Sequence, residues 1–215
     1  MKNKSDTSRK ILTLSDILFG LLCLVGIIPG LIFYSRMPDP LPIHWDINNQ
    51  PDSFAPKPFV IFGMPLIMMA FHLLCCAVDN TKGSGSNPKP VQTIVRLIIP
   101  VITIILESVT VMYVMDMLTD IGLICCLIIG IICILIGNYL PKTQPNYTFG
   151  VKLPWTVYNE DVWHRTHRLA GWITVLCGII VIIAAFFSAY YVCAAAIFVV
   201  IIVPTVYSYV ISVKK

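Results

Sequence analysis

The sequence predicts an all-α integral membrane protein with six transmembrane helices and both termini cytoplasmic. Three observations carry that prediction. Hydrophobic residues make up 57% of the 215 positions and charged residues only 12%, with a mean hydropathy of +0.84, whereas soluble domains approach a quarter charged. The apolar residues fall in runs long enough to cross a bilayer, which takes about 20 residues. The Lys and Arg residues gather in alternate loops, as they do on the cytoplasmic side of a membrane.

Lys2, Lys4, Arg9 and Lys10 precede the first run, 11–34. This run is longer than a signal-peptide core and no small-residue cleavage site follows it, so it reads as a retained span. The loop 35–58 comes next and is rich in proline, at 38, 40, 42, 51, 56 and 58. Prolines fix φ and remove donors, so this extracellular loop is expected to be extended and turn-rich. Within it Leu41-Pro42-Ile43-His44-Trp45 alternates like a short strand, and Asp46 to Asp52 resembles a turn in which Asn and Asp satisfy their own backbone. The loop is either an ordered cap on the extracellular face or a structured loop with Trp45 and Phe54 lying on the membrane interface.

The second span is 59–78. The stretch KGSGSNPKP at 82–90 is a flexible connector by composition. The third span is 97–115 and the fourth 121–140. The polar segment 141–171 is the most informative of the chain, since a polar, aromatic, His-bearing loop between spans is where specific function concentrates. Pro141 ends span four, and Leu153-Pro154-Trp155-Thr156 makes a turn because the residue before proline avoids the helical region. Asn159 suits an N-cap, with Glu160 and Asp161 in the first turn complementing the helix dipole. The helix should continue through Trp163, His167 and Ala170 into the fifth span, 169–189. Glu160 with His164, Asp161 with Arg165, and Trp163 with His167 are spaced to share faces. This is a cytoplasmic interfacial helix, with Trp155, Trp163 and Trp172 at interface depth. The sixth span, 190–213, follows a tight turn near 188–191.

Charge sidedness agrees with six spans. Besides the N-terminal group, Lys82, Lys89, Lys142, Lys152, Arg165, Arg168, Lys214 and Lys215 fall on one side. The other side has Arg36 and Lys57 with Asp39, Asp46, Asp52, Asp116 and Asp120. The net charge of +4 is spread over separate short loops, which argues against direct nucleic-acid binding. The cysteines, at 23, 75, 76, 125, 126, 133, 177 and 193, lie in the apolar runs without CxxC spacing. They are expected to pack as small apolar residues, with no disulfide framework.

Four ionisable residues lie inside the spans: Asp16, His72, Arg96 and Glu107. Intramembrane charge is costly and usually partnered. At about 1.5 Å per residue, Asp16, His72 and Arg96 come out at similar depth and Glu107 about a turn further in, so a buried network of the four is expected. It would fix helix order or act as a proton- or toxin-sensing site. His164-x-x-His167 beside Glu160 and Asp161 suggests a metal cluster, but the spacing is not that of a zincin helix and Arg165 and Arg168 would repel a cation. No metal and no cofactor are expected.

The segment Gly150-Val151-Lys152-Leu153-Pro154-Trp155-Thr156, then Trp163, Thr166-His167 and Gly171, resembles the signature of the SdpI family of bacterial immunity proteins. Gly137-Asn138-Tyr139-Leu140-Pro141-Lys142 and Asn146 also fit the family. The outer loop, with Pro42-Ile43-His44-Trp45 and Asp52, is similar to the DUF1648 region found at the front of longer members. Lys152 stands where the family usually has Arg, and Asn49 where the outer motif usually has Gly. The resemblance divides the chain into a DUF1648-like region at 1–80, a linker at 81–96 and an SdpI-like four-helix region at 97–215 with its signature loop at 141–171.

The resemblance implies a bacterial cytoplasmic-membrane protein that protects the cell from a secreted killing peptide. It further implies a sensor that, with toxin bound, holds a small winged-helix repressor at the membrane. No enzymatic reaction is implied. On this reading Pro42, His44, Trp45, Asp46 and Asp52 with the helices meet the toxin. The inner element, namely Asn146, Gly150, Lys152, Pro154, Trp155, Thr156, Trp163, Arg165, Thr166, His167, Arg168 and Gly171, forms the cytoplasmic docking surface. The alternative is a membrane-embedded enzyme or a transporter acting on a peptide or lipid-like substrate.

Overall fold

The structure is a computed structural model describing residues 11–46, 48–82, 87–147 and 149–214. Lys2, Lys4, Arg9, Lys10, Lys215 and the middle of the Gly/Ser connector lie outside the described residues. Among the described residues, six helices are long and apolar enough to cross a membrane: Leu14–Phe33, Phe59–Thr81, Lys89–Val114, Ile121–Lys142, Glu160–Ala185 and Tyr191–Val213.

The first span is α1 (Leu14–Leu22) and α2 (Ile27–Phe33), joined by a 3-10 turn at Cys23–Gly26. Thr13 and Asp16 close a reciprocal capping box at its start, which satisfies backbone donors the first turn leaves open. The second span enters through a π-turn at Phe59–Gly63 and continues as α3 (Met64–Lys82). The third is α4 (Lys89–Val114). It begins at Lys89 rather than at 97, because Pro88 and Pro90 initiate a helix well before the continuous apolar run. The fourth is α5 (Ile121–Tyr139), capped by Asp120, whose carboxylate accepts from Leu123 N at 2.9 Å. A short helix α6 (Pro154–Val157) precedes α7 (Glu160–Ala185), the fifth span. Asn159 caps α7, accepting from Val162 N at 3.2 Å, as the sequence predicts. The last span is α8 (Tyr191–Val213). The turn before it has Ser188 at φ 54°, and span five ends at Ala185 rather than at 189.

The chain is not wholly α. Strands β1 (Leu41–Trp45) and β2 (Pro51–Ala55) pair antiparallel, with Leu41 opposite Ala55 and Trp45 opposite Pro51. The expected strand at 41–45 is present. The second strand corrects the reading of Asp46 to Asp52 as turn alone, since Asp52 lies in β2. Pro51 and Pro56 obscure that strand in the sequence, and a proline at a strand's first residue is tolerated on an edge. Under the hairpin, Met37, Leu41, Ala55, Val60, Ile61 and Val111 form a buried cluster. A second cluster, Cys126, Val181, Ala185 and Cys193, lies among α5, α7 and α8. All eight cysteines are free.

The most extensive helix contact is between α5 and α7, and glycines create it. A Cβ on Gly130 would stand 2.8 Å from the Gly178 carbonyl, and one on Gly137 2.8 Å from the Gly171 carbonyl. Gly130 to Gly137 on α5 and Gly171 to Gly178 on α7 have the same spacing along their helices, as an antiparallel crossing with directly approaching backbones requires.

Candidate functional site

Polar structure collects at the two ends of the bundle and at one place inside it. At the hairpin end, Asp46 Oδ1 accepts from Asn48 N and Gln50 N, each at 2.8 Å. These bonds hold the exposed Asp46 carboxyl below the usual carboxylate range, the Gln50 N–H bond having the largest effect. His44 Nδ1 lies 2.6 Å from Asp52 Oδ1 across the exposed face of the strands. Asn49 takes φ 62°, a left-handed turn that asparagine tolerates. Its side chain then reaches across the molecule: Nδ2 donates to Asp120 Oδ1 at 3.0 Å, and Oδ1 accepts from Gly122 N at 2.7 Å. Tyr190 donates its hydroxyl to Asp120 Oδ2 at 2.6 Å. The hairpin tip is therefore clasped to the start of α5 and to the turn before α8.

Lys57 donates from Nζ to the Tyr34 and Met37 carbonyls, both at 3.1 Å, and so closes the end of the first span. Trp45 packs edge-on against Tyr113 at 5.3 Å; its indole nitrogen is buried with no hydrogen-bond partner. A cleft opens between the hairpin and the end of α4, lined by Pro38, Pro40, Pro42, Phe54, Tyr113 and Asp116.

Inside the bundle, three of the four expected ionisable residues come together. Asp16 is fully buried, and its Oδ1 is 3.0 Å from Arg96 Nε. His72 Nε2 is 3.2 Å from the Asp16 carbonyl. Asn80, which sequence reasoning missed, completes the group, donating to Asp16 Oδ2 at 2.8 Å and accepting from Arg96 at 3.2 Å. Among the described residues Glu107 makes no hydrogen bond or ion pair with this group, which corrects the four-member network. It is buried against Gly26, whose added Cβ would stand 3.1 Å from Glu107 Cγ, and its Oε2 has no hydrogen-bond partner.

At the other end, the 143–159 segment folds on itself and onto α7. Asn146 donates to the Gln144 and Phe149 carbonyls and accepts from Phe149 N at 2.7 Å. Thr156 is fully buried; its hydroxyl donates to the Val151 carbonyl at 2.6 Å and accepts from Leu153 N at 2.9 Å. Gly150 has φ +114°, and the space a Cβ would need is filled by the His167 ring. Val151 N donates to His167 Nε2 at 3.0 Å, while His167 Nδ1 faces the Trp163 carbonyl at 2.8 Å. Only a neutral ring with its hydrogen on Nδ1 makes both bonds.

Trp163 stacks on His167 with ring centroids 3.9 Å apart and donates its indole N–H to the Thr143 carbonyl at 3.0 Å. Trp155 donates to Ser208 Oγ at 3.0 Å and meets Tyr209 edge-on, tying the loop to α8. Gln144 N donates to Asn87 Oδ1 at 2.7 Å, tying the loop to the start of α4.

These contacts correct part of the expected docking surface. Trp163, Thr166 and His167 are each 0% exposed, so none of the three presents a surface to a partner. Asn146, Thr156 and Gly171 are buried too. The cause is local: loop carbonyls and amides need partners away from water, and these side chains supply them. Lys152, Pro154, Arg165 and Arg168 are exposed and Trp155 half-buried. Of the expected i,i+4 pairs, Asp161 and Arg165 stand 3.8 Å apart. Trp172 is 68% exposed. Among the described residues no three His, Cys, Asp or Glu converge as metal ligands.

Residues 142–208 match the SdpI/YfhL protein family, and residues 21–69 match the domain of unknown function DUF1648. The chain is 29% identical over 161 residues to the immunity protein SdpI of Bacillus subtilis (strain 168), covering 75% of this chain and 76% of that protein. No solved structure matches the chain. With six apolar helices and these similarities, it is a multi-pass protein of a bacterial cell membrane, similar to the SdpI/YfhL protein family over residues 142–208 and to DUF1648 over residues 21–69.

Proposed function

We propose that this chain is a non-enzymatic membrane immunity protein that protects the cell from a secreted killing peptide. The observation that carries the reading is the similarity to an immunity protein, which extends over 75% of the chain. The bundle end with Lys89, Lys142, Lys152, Arg165, Arg168 and Lys214 faces the cytoplasm by the positive-inside rule, and the hairpin end with Asp39, Asp46, Asp52, Asp116 and Asp120 faces outward. The toxin then meets the cleft of prolines, Phe54 and Tyr113 beneath the hairpin. Prolines and aromatic rings beside the polar side chains of Asn49, Gln50, Asp116 and Thr119 suit an extended or amphipathic peptide.

The finer reading adds a sensor step. Lys152, Pro154 and Arg165 are among the exposed residues of the 143–165 element, and a small winged-helix repressor docks there when toxin is bound. Such coupling requires the toxin to bind two states of the bundle with different affinity.

The test is expression in a host sensitive to candidate killing peptides. Survival is expected with the wild-type chain. Phe54→Ala and Tyr113→Ala are expected to lower protection at equal membrane levels, and Arg165→Ala to spare protection while weakening repressor recruitment. A chain that protects against none of the peptides overturns the immunity reading. Cleft variants that protect as well as wild type overturn the toxin placement alone.

A further inference from the structure

We infer that the groove between the ends of α5 and α7 binds the headgroup of an anionic phospholipid. Gly137, Asn138, Lys142, Arg168, Gly171 and Trp172 line it, and no acidic residue is among its lining residues. The groove exists because two glycines bring the helix backbones together: a Cβ on Gly171 would stand 2.7 Å from the Gly137 carbonyl. That approach leaves a trough at the bundle end that larger residues would fill.

Two cations stand on the trough. Lys142 closes the span that begins at Ile121, and its Nζ lies 4.6 Å from the Tyr139 ring centroid. Arg168 is exposed on α7 a turn below the loop. Among the described residues neither has an ion-pair partner. Arg offers a planar fork that matches phosphate oxygens, and Lys adds a compact charge. Asn138 supplies a neutral donor beside them. Trp172, at the trough's lower edge, is 68% exposed, and an exposed indole one turn below two cations marks the boundary between headgroups and acyl chains.

Charge complementarity thus favours a negative headgroup over a zwitterionic one, and the apolar helix surface below the trough favours a lipid over a free phosphate. Basic pockets between transmembrane helices recognise anionic headgroups by these same contacts. The site is separate from the hairpin cleft and from Lys152, Pro154 and Arg165, so it stands whether or not the chain confers immunity.

The experiment is lipid retention by the purified full chain, measured by native mass spectrometry after exposure to phosphatidylglycerol or phosphatidylcholine. Wild type is expected to retain phosphatidylglycerol at least about tenfold better. Lys142→Gln and Arg168→Gln are each expected to lower that retention about fivefold, in line with the worth of a basic residue near anionic lipid. Lys89→Gln removes an exposed cation at the same end of the bundle and is expected to leave retention unchanged. Equal retention of the two lipids overturns the inference, as does a Lys89→Gln loss as large as the others. Displacement of the lipid by soluble glycerol phosphate would show a phosphate site and overturn the lipid assignment.

Discussion

At Gly150 the backbone has φ +114°, and the His167 ring occupies the place of a side chain. Two costs coincide there for any other residue. A left-handed or extended-positive backbone costs about 1–3 kcal/mol in a non-glycine residue, and a methyl group would push His167 off both of its hydrogen bonds. Gly150→Ala is therefore expected to destabilise the protein by roughly 3 kcal/mol, read as a lowered thermal midpoint in detergent. Tyr158→Ala, at an 80% exposed neighbour, should leave the midpoint nearly unchanged. Asp16 poses the opposite problem, a buried charge held by partners on other helices. Asp16→Leu leaves Arg96 uncompensated, and breaking a buried pair costs about 3–5 kcal/mol. Arg96 keeps 18% side-chain exposure, so about 3 kcal/mol is expected. Replacing both, as Asp16→Leu with Arg96→Met, is expected to recover most of that loss; a double variant no more stable than the single one would show that the pair is not what Asp16 supports.

The hairpin is the element whose attachment rests on a few named bonds. Asp120 receives Asn49, Leu123 N and Tyr190. Burial raises its pKa, but the bonds from Tyr190, Leu123 and Asn49 outweigh that and hold it below the ordinary value of 3.8. An aspartate depressed on folding contributes stability that is full above its unfolded pKa and is lost as pH falls through the folded one. Hydrogen exchange of the β1 and β2 amides should accordingly be pH-normal near neutrality and show extra opening in wild type below about pH 3.8. Asp120→Asn should show the loosened hairpin already at neutral pH and little further acid dependence. An acid dependence identical in wild type and variant would remove Asp120 from the clasp. How much of these elements could be read in advance follows from the range of the forces. Caps at Asn159 and Asp120 and the strand at Leu41–Trp45 rest on neighbours in sequence and were legible or nearly so. The second strand was masked by Pro51 and Pro56. Trp163 was expected at the interface because tryptophan usually lies there; its partner, the Thr143 carbonyl, is 20 positions away, and no local pattern announces that bond. The glycines at 130, 137, 171 and 178 did carry a readable signal, a seven-residue spacing on two consecutive spans, which finds its meaning only when the helices are laid antiparallel.

Taken as a whole, the molecule has two halves. The first three spans pack around α4, and α5, α7 and α8 pack on one another, while α4 and α5 touch only sparsely and leave an apolar groove lined by Ile98, Ile105, Ile131 and Leu135. Polar bonds join the halves at both ends: Asn49 to Asp120 and Gly122 at the hairpin, Asn87 to Gln144 at the loop. That arrangement gives any event at one end a mechanical route to the other, provided the two ends face opposite sides of the membrane. Sidedness is therefore the property on which the proposed toxin cleft and the proposed docking surface both depend. It can be tested with Ser53→Cys in β2 and His164→Cys at the start of α7, both exposed positions, in a chain whose native cysteines are replaced by alanine. In intact cells a membrane-impermeant maleimide is expected to label the Ser53→Cys chain, and to label the His164→Cys chain only after lysis. The reverse pattern would place the 143–159 loop outside and move toxin contact to it. Labelling of both in intact cells would put an even number of crossings between the two positions in place of the spans Phe59–Thr81, Lys89–Val114 and Ile121–Lys142, and six spans could not stand.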